Sequence, residues 1–137
     1  MEVSPAQVQF IKNQLPAFLW ALLIFISSAT PSDEFPAIDI WWLPKLIHVI
    51  YFSMLCYFVH RALSRQGRYP GLSRWSLPLS VLITFLYAVS DETHQLFVPG
   101  RHPEVSDVLL DTASGILFVG TTRLTTLWHG IRKGARP

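Results

Sequence analysis

Two apolar runs, residues 77–89 and 108–119, enclose a stretch crowded with polar groups. Between Tyr87 and Gly115 stand Asp91, Glu92, His94, Gln95, Arg101, His102, Glu104, Asp107 and Asp111. The flanking runs suit a bilayer, and ionisable groups at the mouth of a membrane bundle need water, partners or a ligand. Composition agrees. Of the 137 residues, 50% are hydrophobic and 15% charged, where a soluble domain carries about 25% charge. The balance favours one small multi-span membrane domain over residues 1–137. It counts against a soluble, strongly hydrophobic helical domain.

Four transmembrane helices are expected, at about 8–29, 43–63, 75–95 and 105–128. The first apolar core, 15–26, falls short of the ~20 residues a span needs, so the helix extends back to Val8, with Pro16 as a bend. No small-residue cleavage signal follows it, and it reads as a retained span. Trp20 is expected at lipid or the interface. Ser27 and Ser28 either back-bond to helix carbonyls or donate into the outer mouth. Asp33, Glu34 and Asp39 make the next loop acidic, and Trp41 and Trp42 read as belt residues. Lys45, His48 and Phe52 share a face of the second span. Lys45 can snorkel, whereas His48 lies one turn deeper. The single cysteine, Cys56, reads as a small buried hydrophobe.

The loop 66–74 contains Gly67, Pro70 and Gly71 and draws Arg61, Arg65, Arg68 and Arg74 together. In the third span Tyr87 and Asp91 share a face with His94 or Gln95, while Glu92 is offset by about 100°. Pro99, Gly100 and Pro103 break residues 96–103 out of helix. That loop is expected to be re-entrant, with its backbone covered by the bundle. Asp107, Asp111 and Ser114 or Gly115 share a face of the fourth span. Ser106 or Glu104 can cap its start, and Gly115 and Gly120 allow close helix approach.

Charge sidedness gives the topology. Lys12, Arg61, Arg65, Arg68, Arg74, Arg123, Arg132, Lys133 and Arg136 fall on one side, and only Lys45 and Arg101 on the other. Nine against two predicts an N-in/C-in arrangement. The acidic stretch then faces outward and meets Ser27, Ser28, Lys45 and His48 at one level. The basic end lacks aromatic interleaving and a reading helix, so no nucleic-acid partner is expected.

Asp91, Glu92, Asp107 and Asp111 cannot all stay ionised in an apolar surround without compensation. Lys45, Arg101, His48 and His94 are the available counter-charges. A buried ion-pair network is one outcome. A divalent metal held by the pairs Asp107–Asp111 and Asp91–His94 is a second, although no metal signature is matched and no cofactor is required. Reception of a phosphate or carboxylate by Arg101 and Lys45 is a third, with a histidine as general base. A proton relay is a fourth. Ser27, Ser28 and His48 do not have triad spacing. The sharpest spatial expectation is that Asp91, His94, Arg101, Asp107 and Asp111 converge within hydrogen-bonding or water-bridging reach.

The run Asp91–Gln95, then Pro99, Gly100, Arg101, Asp107, Asp111 and Gly115, resembles the VanZ-like family. Trp20 to Ser28 before Pro31, and Lys45 with His48 and Tyr51, agree with it. The resemblance covers roughly residues 15–120. Where family members often carry an aspartate before the lysine of span 2, this chain has Pro44, so any ion pair made there is absent or supplied by Asp39. The resemblance implies a small multi-span protein of the bacterial cytoplasmic membrane, in a family named for a protein associated with low-level teicoplanin resistance. It implies no established enzymatic mechanism. Two functional readings follow: an envelope protein that binds an amphiphile such as a membrane lipid or lipid-linked precursor, and an intramembrane enzyme acting on a lipid-linked phosphate. Oligomeric state is not legible.

Overall fold

The computed structural model describes residues 4–32, 40 and 42–134. The acidic loop with Asp33, Glu34 and Asp39, together with Trp41 and Arg136, lies outside the described residues. Helix α1 runs Pro5–Ala29, α2 Leu43–Arg65, α3 Pro70–Arg74, α4 Ser76–Gln95 and α5 Val105–Gly134. The protein is an all-α, multi-span helical bundle. Three stretches are long and apolar enough to cross a membrane: Gln7–Ala29, Leu43–Arg65 and Val105–Arg132.

Local sequence sets these boundaries. Ser4 caps α1: its hydroxyl accepts from the Gln7 N–H while the Gln7 side chain accepts from the Ser4 N–H, a reciprocal pair that satisfies two free donors. Pro16 lies within α1. Residues 66–74, expected as a loop, contain the one-turn helix α3. Gln66 organises that corner by accepting from the Arg68 and Tyr69 N–H groups.

Helices α2 and α4 form the middle of the bundle. Each packs against both α1 and α5, while α1 and α5 make no contact among the described residues. Ile24, Phe52, Leu55, Val59 and Ala88 are the buried core. The outer faces are the inverse of a soluble protein: Phe18 is 67% exposed and Leu117 69%. Such surfaces are stable where lipid, not water, covers them. Trp20 is half-buried along the α1–α2 seam, its indole N–H donating to the Tyr51 carbonyl at 2.8 Å. An indole donor at this depth needs an acceptor, and α2 supplies one.

The α2–α5 seam is tightly packed at Gly115. A Cβ on Gly115 would lie 3.2 Å from the Cys56 Cβ, and Cys56 is buried as expected. Gly120 has open space around it, so of the two glycines only Gly115 mediates a close contact within the chain.

Candidate functional site

The up-and-down course of the helices brings four ends together: the last turn of α1, the first turns of α2, the last turns of α4 and the first turns of α5. On α2, Lys45 and His48 stand one turn apart, and on α5 so do Asp107 and Asp111. The two pairs meet in register. Lys45 Nζ donates to Asp107 Oδ1 at 3.0 Å and to Glu104 Oε2 at 3.3 Å. One turn deeper, His48 Nδ1 lies 3.2 Å from Asp111 Oδ2. The outer rung is solvated, with Lys45 and Glu104 about half exposed. The inner rung is more enclosed, with Asp111 at 0% exposure and His48 half-buried. Outside the spans, the Ser106 hydroxyl first and then the Lys45 ammonium hold the Glu104 carboxyl below the usual carboxylate range.

A second polar chain links α1 to α4. The Ser28 hydroxyl donates to Asp91 Oδ2 at 2.9 Å, and the Gln95 amide donates to the same oxygen at 3.2 Å. Ser28 therefore does not back-bond to its own helix. Gln95, at i+4, shares the face of Asp91. His94, at i+3, lies against Phe25 with tilted rings, centroids 4.9 Å apart. Glu92 points to a different neighbour, as its offset requires, and Glu92 Oε2 accepts from the Glu104 N–H at 2.8 Å.

Arg101 reaches back across the loop to the end of α1. Its guanidinium donates to the Ser27 carbonyl at 2.9 Å and the Thr30 carbonyl at 3.2 Å, satisfying acceptors that a helix end leaves free. The turn is made at Gly100, whose φ of +72° favours glycine. Within this loop Val98 is buried at 9% exposure, whereas Phe97 stands out at 81%.

Between these chains lies a cavity of about 290 Å³. Its polar end carries Ser28, His48, Asp91, Gln95 and Arg101; its apolar wall includes Ile24, Ile47 and Phe52. Of the residues expected to converge, Asp91 and Arg101 line this cavity, Asp107 and Asp111 stand behind His48, and His94 lies against Phe25 without lining it. Sequence reasoning missed Ser32 and read Glu104 only as a polar neighbour or helix cap. Glu104 connects α2, α4 and α5, and Ser32 both lines the cavity and donates its N–H to the Pro99 carbonyl at 3.4 Å. No sequence signal distinguished Ser32 from other loop residues or showed that Glu104 joins three helices.

His48, Glu92 and Asp107 each present a ligand atom within 4.8 Å of the others. This arrangement can hold a divalent metal, with one imidazole and two carboxylate donors. Two further observations fit. Glu92 Oε1 is buried without a partner among the described residues, and Asp111 anchors the His48 ring as carboxylates anchor metal-bound histidines. The trio differs from the ligand pairs expected along single helices, since Asp111 orients His48 and Asp91 is taken by Ser28 and Gln95.

Residues 5–126 match the VanZ/LLP1 family. The chain belongs to that family. It is thus a family membrane protein with multiple membrane-spanning helices, and the match extends from the first turn of α1 nearly to the end of α5. Searches of curated proteins and of solved structures found no match.

Proposed function

We propose that this VanZ/LLP1 family protein is a binding protein of the bacterial cytoplasmic membrane that receives the head group of an amphiphile at the outer leaflet. In this reading residues 1–137 are one domain, α4 makes a fourth crossing and both termini are cytoplasmic. The 20 residues of α4 extend about 30 Å, the thickness of a hydrocarbon core. The basic excess at the opposite end supports the orientation. The site comprises Ser27, Ser28, Lys45, His48, Asp91, Glu92, Gln95, Arg101, Asp107 and Asp111, with His94 as a flanking residue.

The observation that carries the reading is the 290 Å³ cavity itself. It joins an apolar wall to a cluster of hydroxyl, imidazole, carboxylate, amide and guanidinium groups, the division a lipid head and its first methylenes require. Membrane lipids and lipid-linked wall precursors are the ligand class. Through them the protein modulates envelope properties, including susceptibility to the lipoglycopeptide teicoplanin.

The second reading, an intramembrane enzyme acting on a lipid-linked phosphate, has one specific observation in its favour. A buried carboxylate on one ring nitrogen of His48 is how a general base is oriented. Accumulation of a lipid-linked intermediate in a deletion strain favours catalysis, and an unchanged lipid profile counts against it.

Asp91→Asn tests the binding reading. The amide oxygen can still accept from Ser28, so the variant is expected to melt within a few degrees of the parent in detergent. A polyprenyl phosphate is expected to raise the melting temperature of the parent and not of the variant. Equal shifts in both place the ligand elsewhere.

A further inference from the structure

A cavity of about 470 Å³ opens at the other end of the bundle, remote from the acidic cluster. Arg61 and Arg65 of α2, Arg74 of α3 and Arg123 of α5 line it, together with His60 and several hydroxyl groups. Orientation bias explains why basic residues collect on one side. It does not require arginines from three separate helices to surround one cavity.

Among the described residues, no carboxylate pairs with any of these four arginines. Arg61 donates weakly to the Lys12 carbonyl at 3.5 Å. Its Nε is buried with no partner among the described residues, as is His60 Nδ1. A buried donor without an acceptor is unfavourable, and a guanidinium fork matches the oxygens of a phosphate. Leu77 and Leu127 complete the lining, and Leu127 is 62% exposed, so the cavity continues onto the apolar flank of the bundle where acyl chains lie.

We propose that this basic cavity binds the phosphate of an anionic lipid, at a site separate from the one at the acidic end. Basic pockets between membrane helices take anionic head groups for the same electrostatic reason. The apolar margin selects a lipid over free phosphate. The inference does not rest on the reading of the acidic end, and its test uses neither that site nor its ligand.

The experiment is native mass spectrometry of the full chain released from detergent with equal amounts of phosphatidylglycerol and phosphatidylcholine. The parent is expected to retain one phosphatidylglycerol per chain in clear preference to phosphatidylcholine. Arg123→Gln and Arg61→Gln are each expected to weaken that retention about tenfold, the effect of one lost charge-assisted bond. If Arg61→Gln fails to fold, because it also supports α1, the exposed Arg123 carries the test. Arg68→Gln removes a nearby charge that does not line the cavity and is expected to behave as the parent. Loss of retention in Arg68→Gln equal to that in Arg123→Gln overturns the proposal in favour of diffuse charge. So does the absence of any preference for phosphatidylglycerol. Displacement of the lipid by inorganic phosphate at equal concentration assigns the site to a soluble phosphate and overturns its assignment to a lipid.

Discussion

Gly115→Leu is expected to abolish the folded monomer, and Gly115→Ala to cost about 1–3 kcal/mol, the range for overpacking a filled interior. A Cβ at this position would meet the Cys56 Cβ at 3.2 Å, its sulfur at 3.3 Å and the Thr84 methyl at 3.5 Å. None of these can retreat easily. Cys56 and Ser80 are fully buried, Thr84 is 1% exposed, and the Cys56 thiol rests 3.7 Å from the Ser80 hydroxyl. An alanine methyl forces α5 outward by a few tenths of an ångström. A leucine adds three more carbons and separates α5 from α2, which also breaks both rungs of the outer ladder. Gly120→Leu, placed in open space, is the control expected to fold. Size-exclusion profiles and circular dichroism in detergent read both variants. A monodisperse, fully helical Gly115→Leu protein would show that the seam is not tight.

The next largest effect is expected at Asp111. Asp111→Ala removes the partner of His48 Nδ1 at a largely enclosed position, and it is expected to destabilise by about 2–3 kcal/mol. Asp111→Asn keeps an oxygen facing the imidazole and is expected to cost about 1 kcal/mol. The diagnostic variant is double. Replacing both partners of a buried polar pair with apolar groups is close to neutral, so His48→Leu with Asp111→Leu is expected to recover most of the stability lost by Asp111→Ala. Unfolding midpoints give the comparison. A double variant no better than Asp111→Ala contradicts the view that the penalty comes from the orphaned imidazole. The recovered protein is also useful, because it is folded yet lacks the inner rung of the ladder.

Much of the fold is legible in the sequence because its signals are local. Apolar runs and prolines act within one or two turns, and the helices begin and end close to where those signals stand. Lys45, His48 and Phe52 share a face, as their spacing requires, and His48 stacks on Phe52 with centroids 6.1 Å apart. Partner choice between helices is less legible, since it depends on axial register and rotation. The sequence places Lys45, His48, Asp107 and Asp111 at one level. It does not indicate that Lys45 takes Asp107 while His48 takes Asp111. The choice between His94 and Gln95 turns on the 3.6-residue period: i+4 lies nearer than i+3 to the direction of Asp91. The contacts of Arg101 are less legible still: among the described residues its guanidinium donates to the Ser27 and Thr30 carbonyls at the end of α1, which no local spacing signals.

The central claim is that the acidic end of the bundle opens to the outside of the cell and the basic end to the cytoplasm. Cysteine labelling on intact cells tests it most directly. Cys56 is fully buried, and Cys56→Ser gives a background without thiols. Phe97→Cys then places a thiol on the exposed loop beside the acidic cluster, and Arg68→Cys places one on the corner at the basic end. With a membrane-impermeant maleimide, Phe97→Cys is expected to label in intact cells and Arg68→Cys only after permeabilisation. The reverse pattern would contradict the account.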